Sequence, residues 1–180
     1  NWDEKKYSIN KGLWGTSIGG KETLRSRHSI PENAYPSKVD KKKEENITLK
    51  FKKGQIEAVN NIKASPVENI KKIEEIANKF GVGRDTHVGD TIIGIKGRVG
   101  FQAAAPILII KAHHLLEKHT LTKWQLIYKE QLCINYGLLL HEGQYLDPVM
   151  RDIEEFLISS QKNVSGDQNL EIGPSLPVTK

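Results

Sequence analysis

The sequence predicts an α+β fold, a sheet built around a β-hairpin and packed with about four helices. Three observations predict it: apolar and polar residues alternate on both sides of Lys53-Gly54, two helices carry marked starts at Ser65 and Asp147, and strands and helices do not alternate strictly. At 180 residues, 37% hydrophobic and 27% charged, the chain has room for one domain with a core and for tails besides.

Residues 1–45 show no helical or strand period. Trp2, Tyr7, Trp14 and Tyr35 stand isolated among turn formers, so this stretch reads as an irregular connector that wraps a neighbouring body. Order begins at Ile47. In "ITLKFKKGQIEAVN", Ile47, Leu49 and Phe51 share one face, and Ile56, Ala58 and Asn60 share one on the return. The helix in "SPVENIKKIEEIANKFG" has Ser65 as N-cap, Pro66 at N1, Glu68 closing a capping box and Gly81 as its stop. Ile70, Ile73, Ile76, Ala77 and Phe80 form its apolar stripe. A short strand is expected near 91–96, followed by a glycine-rich bend. "AAAPILIIKAHHLLEKH" and "TKWQLIYKEQLCINYGLLLHEG" both read as helices; the second is apolar almost all round, which predicts burial within a protein or between subunits. "DPVMRDIEEFLISSQK" starts a last helix at Asp147 and Pro148, with Val149, Ile153, Phe156 and Leu157 inward. Residues 167–180 are weakly patterned and read as a tail.

Composition narrows the function classes. No apolar run approaches the roughly 20 residues of a membrane span, and "NWDEKKYS" lacks signal-peptide polarity. With one cysteine, Cys133, a disulfide framework is excluded and a cytoplasmic home is expected. Much of the +5 net charge lies in "KVDKKKEENITLKFKKG". Its lysines are interleaved with Asp40, Glu44 and Glu45, and only Phe51 offers a ring, so they read as a solvated hairpin edge and not as a nucleic-acid surface.

Gly15 to Lys21, "GTSIGGK", has P-loop spacing, but no apolar strand leads into it and Glu22 follows the lysine where a hydroxyl is needed. His113, His114, Glu117 and His119 lack zinc-motif order; adjacent histidines on a helix diverge by about 100°, so they read as polar rim positions. Cys133, mid-helix among apolar residues, reads as a packed thiol. Between residues 81 and 100 there are six glycines, with Arg84, Asp85, Asp90, Lys96 and Arg98 among them. Glycines admit close backbone approach and cations suit carboxylates or phosphates, so this stretch is a candidate ligand site.

Four stretches, "YSINKGLWGTSIGGKETL", "GVGRDTHVGDTIIGIKGRVGFQAAAP", "KHTLTKWQ" and "EGQYLDPVMRDIEEFLISSQKNVSG", together resemble argininosuccinate synthase. They are similar to its C-terminal half, in the variant seen in Bacteroidetes-like bacteria, over residues 5–166. The resemblance implies a synthetase and multimerisation domain over 46–166, preceded by a segment that crosses between the enzyme's halves. It implies an ATP-dependent ligase of arginine synthesis that joins citrulline and aspartate through a citrullyl-adenylate. ATP and Mg would be bound mainly by an N-terminal nucleotide domain, this part alone would be inactive, and the assembly would be a homotetramer. No catalytic residue is assigned to this part. Ser17 in "GTSIGG" is implied to reach the citrulline. Where typical members read Val-Glu-Asn-Arg and carry a tyrosine, this chain has Val88-Gly89-Asp90-Thr91 and Phe101. The implied substrate contacts are thus Ser17, Arg84, Gly89, Asp90, Lys96, Arg98 and Phe101. Two accounts of the missing charge remain open. The substrate is an N-acylcitrulline, with Arg84, Lys96 or Arg98 meeting an added carboxylate; or Asp90 replaces the glutamate one position along. The rival class is a non-catalytic assembly or anionic-ligand-binding module.

Overall fold

A computed structural model describes residues 6–40 and 43–174; Trp2, Lys41, Lys42 and the tail beyond 174 lie outside them. The fold is α+β, with two four-stranded antiparallel sheets in place of the single sheet expected, and four α-helices among the described residues.

The first sheet comprises β3 (Glu45–Lys52), β4 (Gln55–Val59), β5 (Ile62–Lys63) and β8 (Gly166–Ile172), in the order β5-β4-β3-β8. Lys53 and Gly54, both at positive φ, make the expected two-residue turn. Asn60 does not continue the Ile56–Ala58 face. It joins Asn61 in a second positive-φ turn, and its Oδ1 accepts the Thr48 backbone N–H at 2.8 Å. The lysine-rich strand is not an edge: β3 pairs with β4 on one side and, from Glu45 to Phe51, with β8 on the other. Its lysines therefore occupy the solvent face of an inner strand. Residues 167–172 of the expected tail are thus part of the sheet.

Helices α1 (Pro66–Asn78) and α2 (Ala104–Thr120) cover the inner face of this sheet. The Ser65–Glu68 capping box forms as read. Ile47, Leu49 and Phe51 meet Ile73, Ile76, Ala77 and Phe80 of the first helix and its exit, and Ala112 and Leu116 of the second. At about 25 cal/mol per Å², this apolar burial is the main stabilising term.

Helix α3 (Lys123–His141) has no buried residue, and Cys133 is exposed, against the expectation of a packed thiol. Trp124, Ile134 and Leu138 all look outward. Thr122 and Gln125 close a capping box at its start. Helix α4 (Pro148–Ser160) packs beside it; Met150 and Ile153 are buried, whereas Val149 is exposed.

Glu117 is buried and not on a polar rim. Its Oε1 accepts from Gln161 Nε2 at 2.7 Å and lies 3.1 Å from Lys129 Nζ, while His113 Nε2 sits 2.9 Å from Gln161 Oε1. Burial holds the His113 imidazole below its usual pKa, against the pull of Glu117. The unfolded chain therefore takes up a proton near pH 6.5 that the folded state resists. Stability is expected to be full above that pH and to fall as pH drops below it. Urea unfolding at pH 7.5 and 5.5 checks this: H113N should show a smaller loss than the parent, and an equal loss would contradict it.

Candidate functional site

The second sheet holds β1 (Ser8–Gly12), β2 (Gly15–Gly19), β6 (Arg84–Asp90) and β7 (Lys96–Gln102), in the order β1-β2-β7-β6. The stretch read as irregular thus contains a hairpin. The strand expected at 91–96 is instead mostly the turn between β6 and β7, with Ile92, Ile93 and Ile95 exposed. Gly15–Gly19, the start of the apparent P-loop, is extended and paired on both sides. It offers no turn of free amides to cradle a phosphate, so these residues do not fit a nucleotide.

Register divides the candidate residues between two faces. Ser17 pairs with Phe101 and Phe101 with Asp85; Thr16 pairs with Gln102 and Gln102 with Arg84. Side chains alternate along each strand, so Ser17, Phe101, Val99, Asp85, His87 and Gly89 share one face. Arg84, Asp90, Lys96 and Arg98 belong to the other.

That second face is scaffold near β2. Ile18 packs with Ile30 and Ala34, and Tyr7 and Tyr35 lie against them. Gly100 is buried beneath Ile30: a Cβ there would stand 2.0 Å from Ile30 Cδ1. Arg98 donates from Nη1 to the carbonyls of Glu22, Thr23 and Arg25 at 3.0, 3.3 and 2.8 Å, and from Nη2 to that of His28 at 3.0 Å. One guanidinium so gathers the carbonyls of a segment with little regular structure. Arg84 donates to Glu32 Oε2 and to the Ser37 carbonyl, and its guanidinium lies 4.3 Å over the Tyr35 ring. Its hydrogen bond holds the Glu32 carboxyl below the usual carboxylate range. At the exposed hairpin end, Lys96 Nζ and Asp90 Oδ2 are 2.8 Å apart. Four of the seven sequence-predicted residues are therefore engaged with their own chain, away from Ser17.

The face of Ser17 is open. Phe101 lies beside it, and the His87 ring meets Phe101 edge-on with centroids 6.1 Å apart. Asp85 Oδ1 accepts the Thr86 backbone N–H at 2.7 Å. Asn10 pairs with Ser17 and Ser8 with Gly19, so both belong to this face. Ser8, Asn10 and His87 were not singled out in the sequence, and Asp85 was named only within the candidate stretch. Strand parity would have found them, but only once the pairing of 84–90 with 96–102 was known.

Elsewhere, a hollow of about 530 Å³ lies on the first sheet, lined by Lys50, Lys52, Lys63, Glu57, Ser165 and Asp167 among others. The carboxylate of Glu57 already lies within 3.3 Å of Lys63 Nζ and 3.9 Å of Lys52 Nζ. Among the described residues no group of three His, Cys, Asp or Glu side chains is placed to hold a metal ion, and no helix is long and apolar enough to cross a membrane.

Comparison with known proteins adds an independent finding. Residues 7–173 match the family model of the arginosuccinate synthase C-terminal domain. This reaches beyond Val164–Gly166, where the sequence resemblance stopped, and takes in β8. An argininosuccinate synthase of Methanocaldococcus jannaschii is 38% identical over 173 residues, covering 94% of this chain and 44% of the relative. Those of Xanthomonas campestris pv. campestris and Pyrococcus furiosus are 35% and 34% identical, covering 93% and 94% of this chain and 43% and 42% of the relatives. The chain thus spans less than half the length of the relatives it matches.

Proposed function

Because the chain belongs to the argininosuccinate synthase family, as its C-terminal domain, we propose that it forms the amino-acid-binding and assembly part of an ATP-dependent ligase joining a citrulline-type ureido amino acid to aspartate. In this reading the ureido oxygen attacks the α-phosphate of ATP, and pyrophosphate leaves. The aspartate amine then displaces AMP from the adenylate. Activation turns a poor leaving oxygen into a good one, so the protein's work is to position reactants and offset charge. ATP, Mg and most aspartate contacts fall to a nucleotide domain outside these residues.

The observation that carries the reading is the register Ser17–Phe101–Asp85. It sets the glycine-flanked serine beside the hairpin that carries Gly89, on one exposed sheet face that a second body can close. Ser17 meets the substrate's carboxylate, and the Phe101–Gly89 side meets its α-nitrogen. The outward apolar residues of α3, including Trp124 and Leu138, supply the assembly surface, with a homotetramer as the proposed state.

The test uses the complete gene product. Exchange of labelled pyrophosphate into ATP should require the ureido amino acid. S17A should lower kcat/KM for it about tenfold, the worth of one hydrogen bond. No exchange with any ureido amino acid refutes the ligase reading, and exchange by residues 6–174 alone refutes the division of labour.

A further inference from the structure

Gly89 and His87 form one unit on the open face. The His87 ring folds over Gly89, and a Cβ at position 89 would stand 2.4 Å from His87 Nε2. A side chain at 89 would have to push the ring aside, so the glycine is what lets the imidazole rest there. Phe101 holds the ring from the other side. His87 is exposed, and no hydrogen bond or ion pair engages it among the described residues. An imidazole thus stands ready on the face that also carries Ser17.

The charges around it are as telling. Asp90 looks to the opposite face and holds Lys96. Asp85 shares the face of His87, but it sits four residues from Gly89, roughly 13 Å along the strand, and its carboxylate is bonded to Thr86. An ammonium group beside Phe101 would meet Asp85, its cross-strand partner, but one seated at Gly89, past His87, would lie roughly 13 Å from that carboxylate with the imidazole between them. An amide needs no counter-ion there: its carbonyl can accept from the imidazole N–H, and its acyl carbons can lie on the Phe101 ring. Gly97, which pairs with Gly89, adds no side chain to block an acyl group.

We infer that His87, seated over Gly89, selects a substrate whose α-nitrogen is acylated. The inference rests on the proposed ligase reading and deepens it: the reading assigns the face to a ureido amino acid, and His87 sets which form of it binds. The Asp90 alternative is left without support, because the strand turns that carboxylate away.

Citrulline, N-acetylcitrulline and N-succinylcitrulline are compared in the complete gene product by aspartate-dependent pyrophosphate release. The parent should favour an acylated substrate at least tenfold in kcat/KM. H87A should cut that ratio tenfold or more, and G89E, which displaces the ring and adds a carboxylate, should turn the preference towards citrulline. Circular dichroism confirms that each variant is folded; should G89E fail this, H87A decides alone. A parent that prefers citrulline overturns the inference and leaves the ligase reading intact, and so does an H87A ratio equal to the parent's. If D85N then selectively weakens citrulline, Asp85 is its counter-ion. Release with none of the three substrates overturns the ligase reading itself and the inference with it.

Discussion

Replacing Glu117 by alanine is expected to destabilise the protein by about 3–5 kcal/mol, the range for breaking a buried ion pair from one side. Its carboxylate is 2% exposed and serves Lys129 of α3 and Gln161 beyond α4 together, with His113 one turn back on its own helix. Lys129 has a side chain only 19% exposed, so the alanine variant strands an ammonium that can barely reach water. Gln161 also loses one of the two acceptors of its amide N–H groups, keeping only Ser160 Oγ. The loss should appear as a lower urea midpoint with an unchanged slope. Removing both charges in E117A/K129M should recover a good part of it, because the stranded charge is then gone. A single-variant loss under about 1 kcal/mol would place the pair among the exposed ion pairs worth little.

Gly83→Ala is expected to be nearly as damaging. Gly83 has φ +75°, and its carbonyl accepts the Ala103 N–H at 2.9 Å, where β7 runs into α2. An added Cβ would lie 2.5 Å from the carbonyl carbon and oxygen of Ala103 and 2.7 Å from the Ala104 nitrogen. These are backbone atoms at the buried first turn of a helix, and they cannot rotate away. Left-handed strain of about 1–3 kcal/mol adds to overpacking of about 1–3 kcal/mol. A melting temperature lower by roughly 4–24 °C follows for a chain of this size. A shift below 2 °C would mean that the two sheets are not joined through this contact.

The parts legible in the sequence are those whose signals are local. Ser65-Pro66 with Glu68, and Asp147-Pro148, mark helix starts through chemistry confined to one turn, and both form. The β3–β4 alternation reports a sheet face that is half buried. The second sheet sends no such signal. Its buried positions include Thr16, Gly100 and Gln102, and its open face carries Ser17, Asp85 and His87. Neither pattern alternates in hydrophobicity. Arg98 and Arg84 hold it from a distance in sequence, through carbonyls 47 to 76 positions away or an acidic partner at Glu32. The β-branched run Thr91–Ile95 suggested a strand, but it turns the corner with its isoleucines in solvent. In β8 only Leu170 and Ile172 are apolar among the inward positions, and the strand exists because β3 pairs with it. For α3 the apolar residues surround the helix, so no buried face could be read, and none is present within this chain. The candidate site was half legible for the same reason: residue types pointed to one hairpin, but only its register decides which of them look the same way.

That two-sided register has a consequence for how such a protein diversifies. In β2, β6 and β7 the odd-numbered positions meet the outside, and the even-numbered ones near the core anchor the sheet. If the open face binds the substrate as proposed, mutations at 87, 89 or 101 would retune what is recognised while Arg98 and Ile18 keep the architecture fixed. On that reading, ligand preference would drift between neighbouring chemistries through single substitutions without passing through an unfolded ancestor.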